Sequence, residues 1–162
     1  MKNLLIILLL VAGGIFFSGY TMFSQSRVFA YLDRLEDEIN KGHTVAACNR
    51  LADSMVFSIR GTSTNPTFAL SGGKAELCEH FAQTAHMYET ALIADRHYMA
   101  DLSVRRNLLN WNSATVSYAI YHEVEYFPSR EKVRSKSKER LVIDRADDAF
   151  IIKKWDTEVL FE

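Results

Sequence analysis

The stretch ATVSYAIYHEVEYFPSREKVRSKSKERLVI, residues 114–143, decides the fold of this 162-residue chain. Its side chains alternate with a period of two on both sides of Pro128-Ser129, which is strand chemistry broken by a turn. The same period runs through HYMADLSVRRNLL (97–109) before it and AFIIKKWDTEVLF (149–161) after it. NWNS and DRADD, both rich in turn residues, make the other two connections. Four strands joined by short turns predict an antiparallel meander.

Within this meander every second residue from Arg130 to Arg140 is basic. A formal net charge of −1 argues against a dedicated nucleic-acid surface, so no nucleic-acid partner is expected. Matching apolar residues across the Pro128-Ser129 turn sets Val124 opposite Val133 and Val116 opposite Leu141. The other face then places Glu125 against Lys132 and Glu123 against Arg134. Across DRADD the same matching predicts Leu141 opposite Ile151, Arg134 beside Glu158 and Lys136 beside Asp156. The basic row is therefore expected to be a solvated outer face, with Lys138 and Arg140 less compensated. Each cross-strand ion pair contributes about 0.2–1 kcal/mol and helps to fix register.

The opposite, covered face mixes core residues with polar ones. Tyr98, Ala100, Leu102 and Val104 are expected there, as are Arg106, Tyr118, His122, Glu139, Lys153 and Trp155. Glu139 is expected next to Lys153 and opposite Tyr118. Polar groups on a covered face must be paired or wet, so these six either close one another off or line a ligand pocket. His122 with Tyr118 and Glu139 is the candidate catalytic set, because a histidine beside a carboxylate can move protons. Phe150, Ile152 and Leu160 are expected on the outer side of the last strand, a surface for a protein partner or a second copy.

Upstream, the period is helical. Val28, Tyr31, Leu32, Leu35 and Ile39 make one stripe, with Ser26 as cap and Gly42 as a left-handed terminator. Thr44 opens TVAACNRLADSM as a second helix, and MVFSIRG turns strand-like. Thr67 to Leu70 can form a short strand, and a third helix is expected from Lys74 to about Ala94. Cys48 and Cys78 sit beside the apolar stripes of their helices. They are either a disulfide of an exported domain or two small buried side chains. No His/Cys cluster has zinc-ligand spacing, and neither a metal nor a cofactor is expected.

Between Lys2 and Arg27 lies a run without a single charge. It is long enough to cross a membrane, which takes roughly 20 apolar residues. The expected organisation is a membrane anchor, or alternatively a cleaved signal peptide, over 1–26, followed by one domain over 27–162. The anchor would contact membrane lipid, cross the inner membrane once and leave the domain outside the cytoplasm.

DRLEDEINKGHTVAACNRLADSMVFSI (33–59), SGGKAELCEHF (71–81) and LLNWNSATVSY (108–118) together resemble the nuclear transport factor two-like superfamily, which includes the SnoaL-like cyclases. The resemblance implies an α+β cone fold, with helices packed on a strongly curved antiparallel sheet. It implies a fold more than a reaction. The reading placed first is an anchored domain that binds a partner protein or small ligand without catalysis. The alternatives are a pocket enzyme of the cyclase, isomerase or dehydratase type using His122, Tyr118 and Glu139, and a structural subunit of a membrane complex.

Overall fold

The computed structural model describes residue 7 and residues 21–62, 67–90, 92–107, 110–126, 128–147 and 149–161. Helix α1 is Gln25–Asn40 and α2 is Thr44–Cys48. Strands β1 (Leu51–Thr62) and β2 (Phe68–Gly72) precede helix α3 (Lys74–Thr90). The meander follows as β3 (Leu92–Arg106), β4 (Ser113–Tyr126), β5 (Lys132–Ala146) and β6 (Ala149–Phe161). The six-stranded sheet has the order β2-β1-β6-β5-β4-β3. Every neighbouring pair is antiparallel except β1 and β6, which run parallel. Helices over one face of a mostly antiparallel sheet make the α+β plan expected from the sequence.

Helix α1 buries Val28, Tyr31, Leu32 and Leu35, the i, i+3, i+4, i+7 stripe of an amphipathic helix. It starts two residues earlier than expected, after Ser24 rather than Ser26. Its C-terminus is closed by two reverse bonds, His43 N–H to Glu38 O at 2.8 Å and Gly42 N–H to Ile39 O at 3.1 Å. This is a Schellman arrangement, and Gly42 takes the left-handed backbone it needs at φ 74°. A Cβ on Gly42 would meet only ordinary contacts, at 3.8 Å. Gly42→Ala should therefore cost the backbone term alone, about 1–2 kcal/mol, read as a lower urea midpoint at unchanged slope.

Two helices stop earlier than their patterns suggest. The one opened by Thr44 ends at Cys48, because Leu51, Met55 and Phe57 are claimed by the sheet core. Ile152 N–H bonds Arg50 O at 2.8 Å, and Leu51 pairs with Ile152, so parallel pairing with β6 overrides helix propensity there. Val45, expected on the inner face, is 75 % exposed. Helix α3 ends at Thr90, and Asp95 falls in β3 instead of the loop after a longer helix. Cys48 on α2 and Cys78 on α3 form a disulfide, with Cα atoms 5.7 Å apart.

The β4–β5 register is the expected one, with Val124 opposite Val133, Val116 opposite Leu141 and Glu123 opposite Arg134. The β5–β6 register is four residues away from expectation. Leu141 faces Trp155, not Ile151, and Glu139 faces Thr157. The strands run on to Ala146 and Ala149, so only two residues turn the chain, with Asp147 at φ 52°. A bulge between Val142 and Ile143 in the pairing then leaves Lys153 as the extra residue. Bulges flip the faces of everything beyond them. Ile152 and Phe150 are consequently buried in the core, at 0 % and 7 % exposure, and do not form an outer apolar surface. Lys153 turns away to Asp144, 2.6 Å distant, and is not a neighbour of Glu139.

On the outer face Arg134 bonds Glu123 at 2.8 Å, and Lys138, not Arg134, lies by Glu158 at 3.9 Å. Arg140 is opposite Asp156, and Lys154 contacts Asp156 at 2.8 Å. Lys136 sits over the Tyr121 ring at 4.7 Å rather than beside Asp156. Lys132, Arg134 and Lys138 of the basic row thus have carboxylates within 3.9 Å, from partners partly different from those expected.

The apolar run expected as an anchor, residues 3 to about 23, lies almost wholly outside the described residues. Among the described residues no helix is long and apolar enough to cross a membrane. The end of that run belongs to the domain. Met22 and Phe23 are buried at 7 % and 2 % exposure, and Phe23 stacks on Phe150 with centroids 5.4 Å apart. The folded unit thus begins before residue 27.

Candidate functional site

A cavity of about 260 Å³ lies between α1, α3 and the inner sheet face. Leu32, Leu35, Phe57, Phe81, Ile120 and Trp155 give it apolar walls. Among its polar residues are Glu36 on α1, His80 and Tyr88 on α3, and His122, Tyr118 and Glu139 on β4 and β5. A larger, shallower depression of about 1010 Å³ occupies the outer sheet face around Lys138, Arg140 and Glu158. Two ion pairs, Lys138–Glu158 and Lys154–Asp156, lie on that open charged face, and the smaller apolar cavity is the better site for a small ligand.

The chemistry concentrates where β3 meets β4. Asp101 at φ 57° marks a bulge between Ala100 and Ser103, so the two faces of β3 exchange at this point. Before the bulge, Tyr98 lies outside, 61 % exposed and stacked on Tyr121 at 4.8 Å. His97 pairs with His122 across the strands and Asp95 with Val124. A single unbroken alternation through the strand predicts Tyr98 and Ala100 inside. The bulge brings Asp95 and His97 inside instead, and in the sequence only Asp101, a residue type tolerant of left-handed backbone, signals it.

Asp95 is the hub. Its carboxylate side chain is 7 % exposed. Tyr88 Oη donates to its Oδ2 at 2.5 Å, and His97 Nδ1 lies 3.5 Å from the same oxygen. His122 Nδ1 lies 3.7 Å from Oδ1, which has no hydrogen-bond partner. His97 Nε2 is 3.9 Å from Glu36 Oε1. Burial works to raise the Asp95 pKa, but His122 and Tyr88 outweigh it and hold the group below the usual carboxylate range. Burial works to lower the His122 pKa, and the Asp95 carboxylate more than reverses it, so the ring holds its proton above the usual imidazole value. Glu36 is pushed up, chiefly by burial. Burial also raises Tyr88 and Tyr118.

Glu139 is brought to the cavity as expected, opposite Tyr118, but it is already occupied. Trp155 Nε1 donates to its Oε2 at 2.7 Å and Thr157 Oγ1 at 2.6 Å. Burial raises its pKa despite those two donors. Trp155 and Tyr118 line the cavity. Arg106 lies at the far end of β3, opposite Ala114, and it and Lys153 are not among the lining residues. Of the six expected pocket residues, four converge and two do not.

No family model matches the chain, and no curated protein matches it in sequence. Solved structures do match its fold. A scytalone dehydratase candidate from Novosphingobium aromaticivorans superposes at TM-score 0.59 and 11% identity, over 83% of this chain and 86% of that one. ActVI-ORFA from Streptomyces coelicolor gives 0.59 and 9%, over 82% and 93%. The β subunit of a benzoate 1,2-dioxygenase from Burkholderia mallei gives 0.63 and 14%, over 86% and 91%. Identities this low speak for the fold alone, an α+β cone fold with helices packed on a curved, mostly antiparallel sheet.

Proposed function

We propose that this chain is a small-molecule proton-transfer enzyme of the lyase or isomerase type, working in the cone cavity. One observation carries the reading: Asp95, buried, faces the Nδ1 atoms of two histidines while His122 opens onto an apolar cavity. With its Nδ1 proton held toward Asp95, His122 keeps the Nε2 lone pair free to accept a proton from substrate carbon. Glu36, whose pKa burial raises, is suited to return a proton to oxygen or to a leaving group. The apolar walls exclude water and strengthen each of these interactions.

Binding without catalysis is the second reading. It is favoured by the looseness of the 3.5 and 3.7 Å contacts around Asp95, which are longer than hydrogen bonds. Deuterium exchange from D₂O into a panel of cyclic ketones and hydroxyketones, followed by NMR, separates the two. Exchange at carbon with the wild-type chain, abolished by His122→Ala, is the expected result. Bound ketone that never exchanges would leave the binding-only reading standing.

Export belongs to the same proposal. It is supported by the charge-free run before residue 27 and by the Cys48–Cys78 disulfide, which persists in oxidising compartments. Because Met22 and Phe23 are core residues, an anchor or leader must end before them. Intact mass of the protein recovered from membranes tests this; a chain cleaved within the domain core, after Phe23, would refute it.

A further inference from the structure

We propose that Glu36, His97 and His122 form a binding site for one divalent transition-metal ion, with Zn²⁺ the best match. One donor atom from each of the three side chains lies within 4.8 Å of the other two. They come from three separate elements, α1, β3 and β4, so no linear spacing announces them. Zinc bonds of about 2.0–2.2 Å at tetrahedral angles require donors roughly 3.3 Å apart. Each donor atom therefore has to move inward by less than about 1 Å.

Two independent features of the surroundings point the same way. The first is tautomer control. Both Nδ1 atoms face Asp95, at 3.5 and 3.7 Å, which leaves both Nε2 atoms as the metal-binding nitrogens. A carboxylate behind a ligating imidazole is the usual outer support of a metal site. Asp95 Oδ1 is buried and has no hydrogen-bond partner, so it stands ready to accept from His122 once the ring is drawn toward an ion. The second is charge. Glu36, once it gives up its proton to bind, and Asp95 bring two negative charges to a site only 17 % and 7 % exposed, and a dication compensates both.

The donor set selects the ion. Two imidazoles and one carboxylate suit zinc, iron(II), nickel or cobalt and not magnesium or calcium, which take oxygen ligands. Three protein ligands leave a fourth position open, as in catalytic zinc sites. The His97 side chain, 33 % exposed, provides an entry path from solvent. Metal binding uses the same His122 nitrogen as proton abstraction, so the two occupations exclude each other. The metal site does not rest on the proton-transfer reading and is tested without a substrate.

The test uses untagged full-length chain, stripped with EDTA, titrated with Zn²⁺ by calorimetry and with Co²⁺ by visible absorption. One ion per chain at micromolar affinity or tighter is expected, with cobalt bands of a four-coordinate site. His97→Ala and Glu36→Gln should each weaken binding by at least about 10–100-fold, and Asp95→Asn by a similar factor through the rings it supports. His80→Ala, a histidine that lines the cavity but lies outside the cluster, should leave binding unchanged. Absence of binding, or binding that survives both His97→Ala and Glu36→Gln in chains with native circular dichroism, would overturn the proposal. Loss of binding in His80→Ala equal to that in His97→Ala would overturn it as well.

Discussion

Replacing Arg50 with alanine should destabilise the domain by about 3 kcal/mol, a large share of the margin of a single domain. Arg50 Nε and Nη2 both reach the Glu38 carboxylate at 2.7 Å, a bidentate pair between α1 and the start of β1. Glu38 is 8 % exposed, and the Arg50 guanidinium also lies 5.0 Å from the Tyr31 ring centroid. Alanine would leave Glu38 charged and buried, with only the 3.2 Å bond from solvent-exposed Arg34. Removing one partner of such a pair costs more than the pair itself contributes, because the other is stranded. Arg50→Ala combined with Glu38→Gln should therefore recover part of the loss. Arg50→Lys should fall between, since an ammonium cannot bind both oxygens in a plane. Urea denaturation of the four chains measures all of this. A double variant no more stable than Arg50→Ala would show that the stranded charge is not the cause.

The same pair sets a pH dependence whose sign is fixed. Hydrogen bonds from Arg50 hold the Glu38 pKa below its ordinary value, with burial opposing. A depressed carboxylate stabilises the fold above its unfolded pKa, near 4.3, and that contribution is lost as pH falls through the lower folded value. Glu36 and Glu139 act in the opposite sense, because burial raises both. Their penalty is present at neutral pH and is relieved on protonation. Acid stability of the wild type is thus a sum of opposed effects. The stability difference between wild type and Glu38→Gln isolates the first of them, and it should shrink toward zero on acidification.

The sheet was legible wherever alternation ran unbroken. Val116, Val124, Val133 and Leu141 fixed the β4–β5 register, because a one-residue slip there would turn each of them to solvent. The errors share one physical origin. Bulges at Asp101 and Lys153 each insert one residue, and a period-two reading carries the wrong parity past both. The first hid Asp95 and His97, and the second sent Ile152 and Phe150 to the wrong face. Residues on the sound side of the bulges, Tyr118, His122 and Glu139, were placed where they are found. Glu36 was unreadable for another reason. It sits on the edge of the α1 stripe, and only the crossing of α1 over β3 brings it near His97. The helix TVAACNRLADSM failed because a parallel strand pair, invisible to local pattern, takes Leu51 for the sheet.

Under the proposed proton-transfer function, Asp95→Asn should lower activity by about 10²–10⁴-fold while leaving the fold intact, the range expected for loss of a positioned acid–base partner. The amide keeps the size of the carboxylate and can still accept from Tyr88 Oη, now 2.5 Å from Oδ2. It cannot accept from both sides. One of its two ends becomes an NH₂ donor aimed at an imidazole Nδ1, which must then present a lone pair and carry its proton on Nε2. The base would point a hydrogen, not a lone pair, at substrate carbon. Loss of the negative charge also removes the influence that raises the His122 pKa against burial. The readout that separates positioning from folding is the split between kcat and KM. The cavity walls do not include Asp95, so KM should change little while kcat collapses. Asp95→Glu lengthens the side chain at a site 7 % exposed and should recover only part of the rate. An Asp95→Asn chain with wild-type kcat would remove Asp95 from the mechanism and leave its contacts with Tyr88 and the two histidines as ordinary packing.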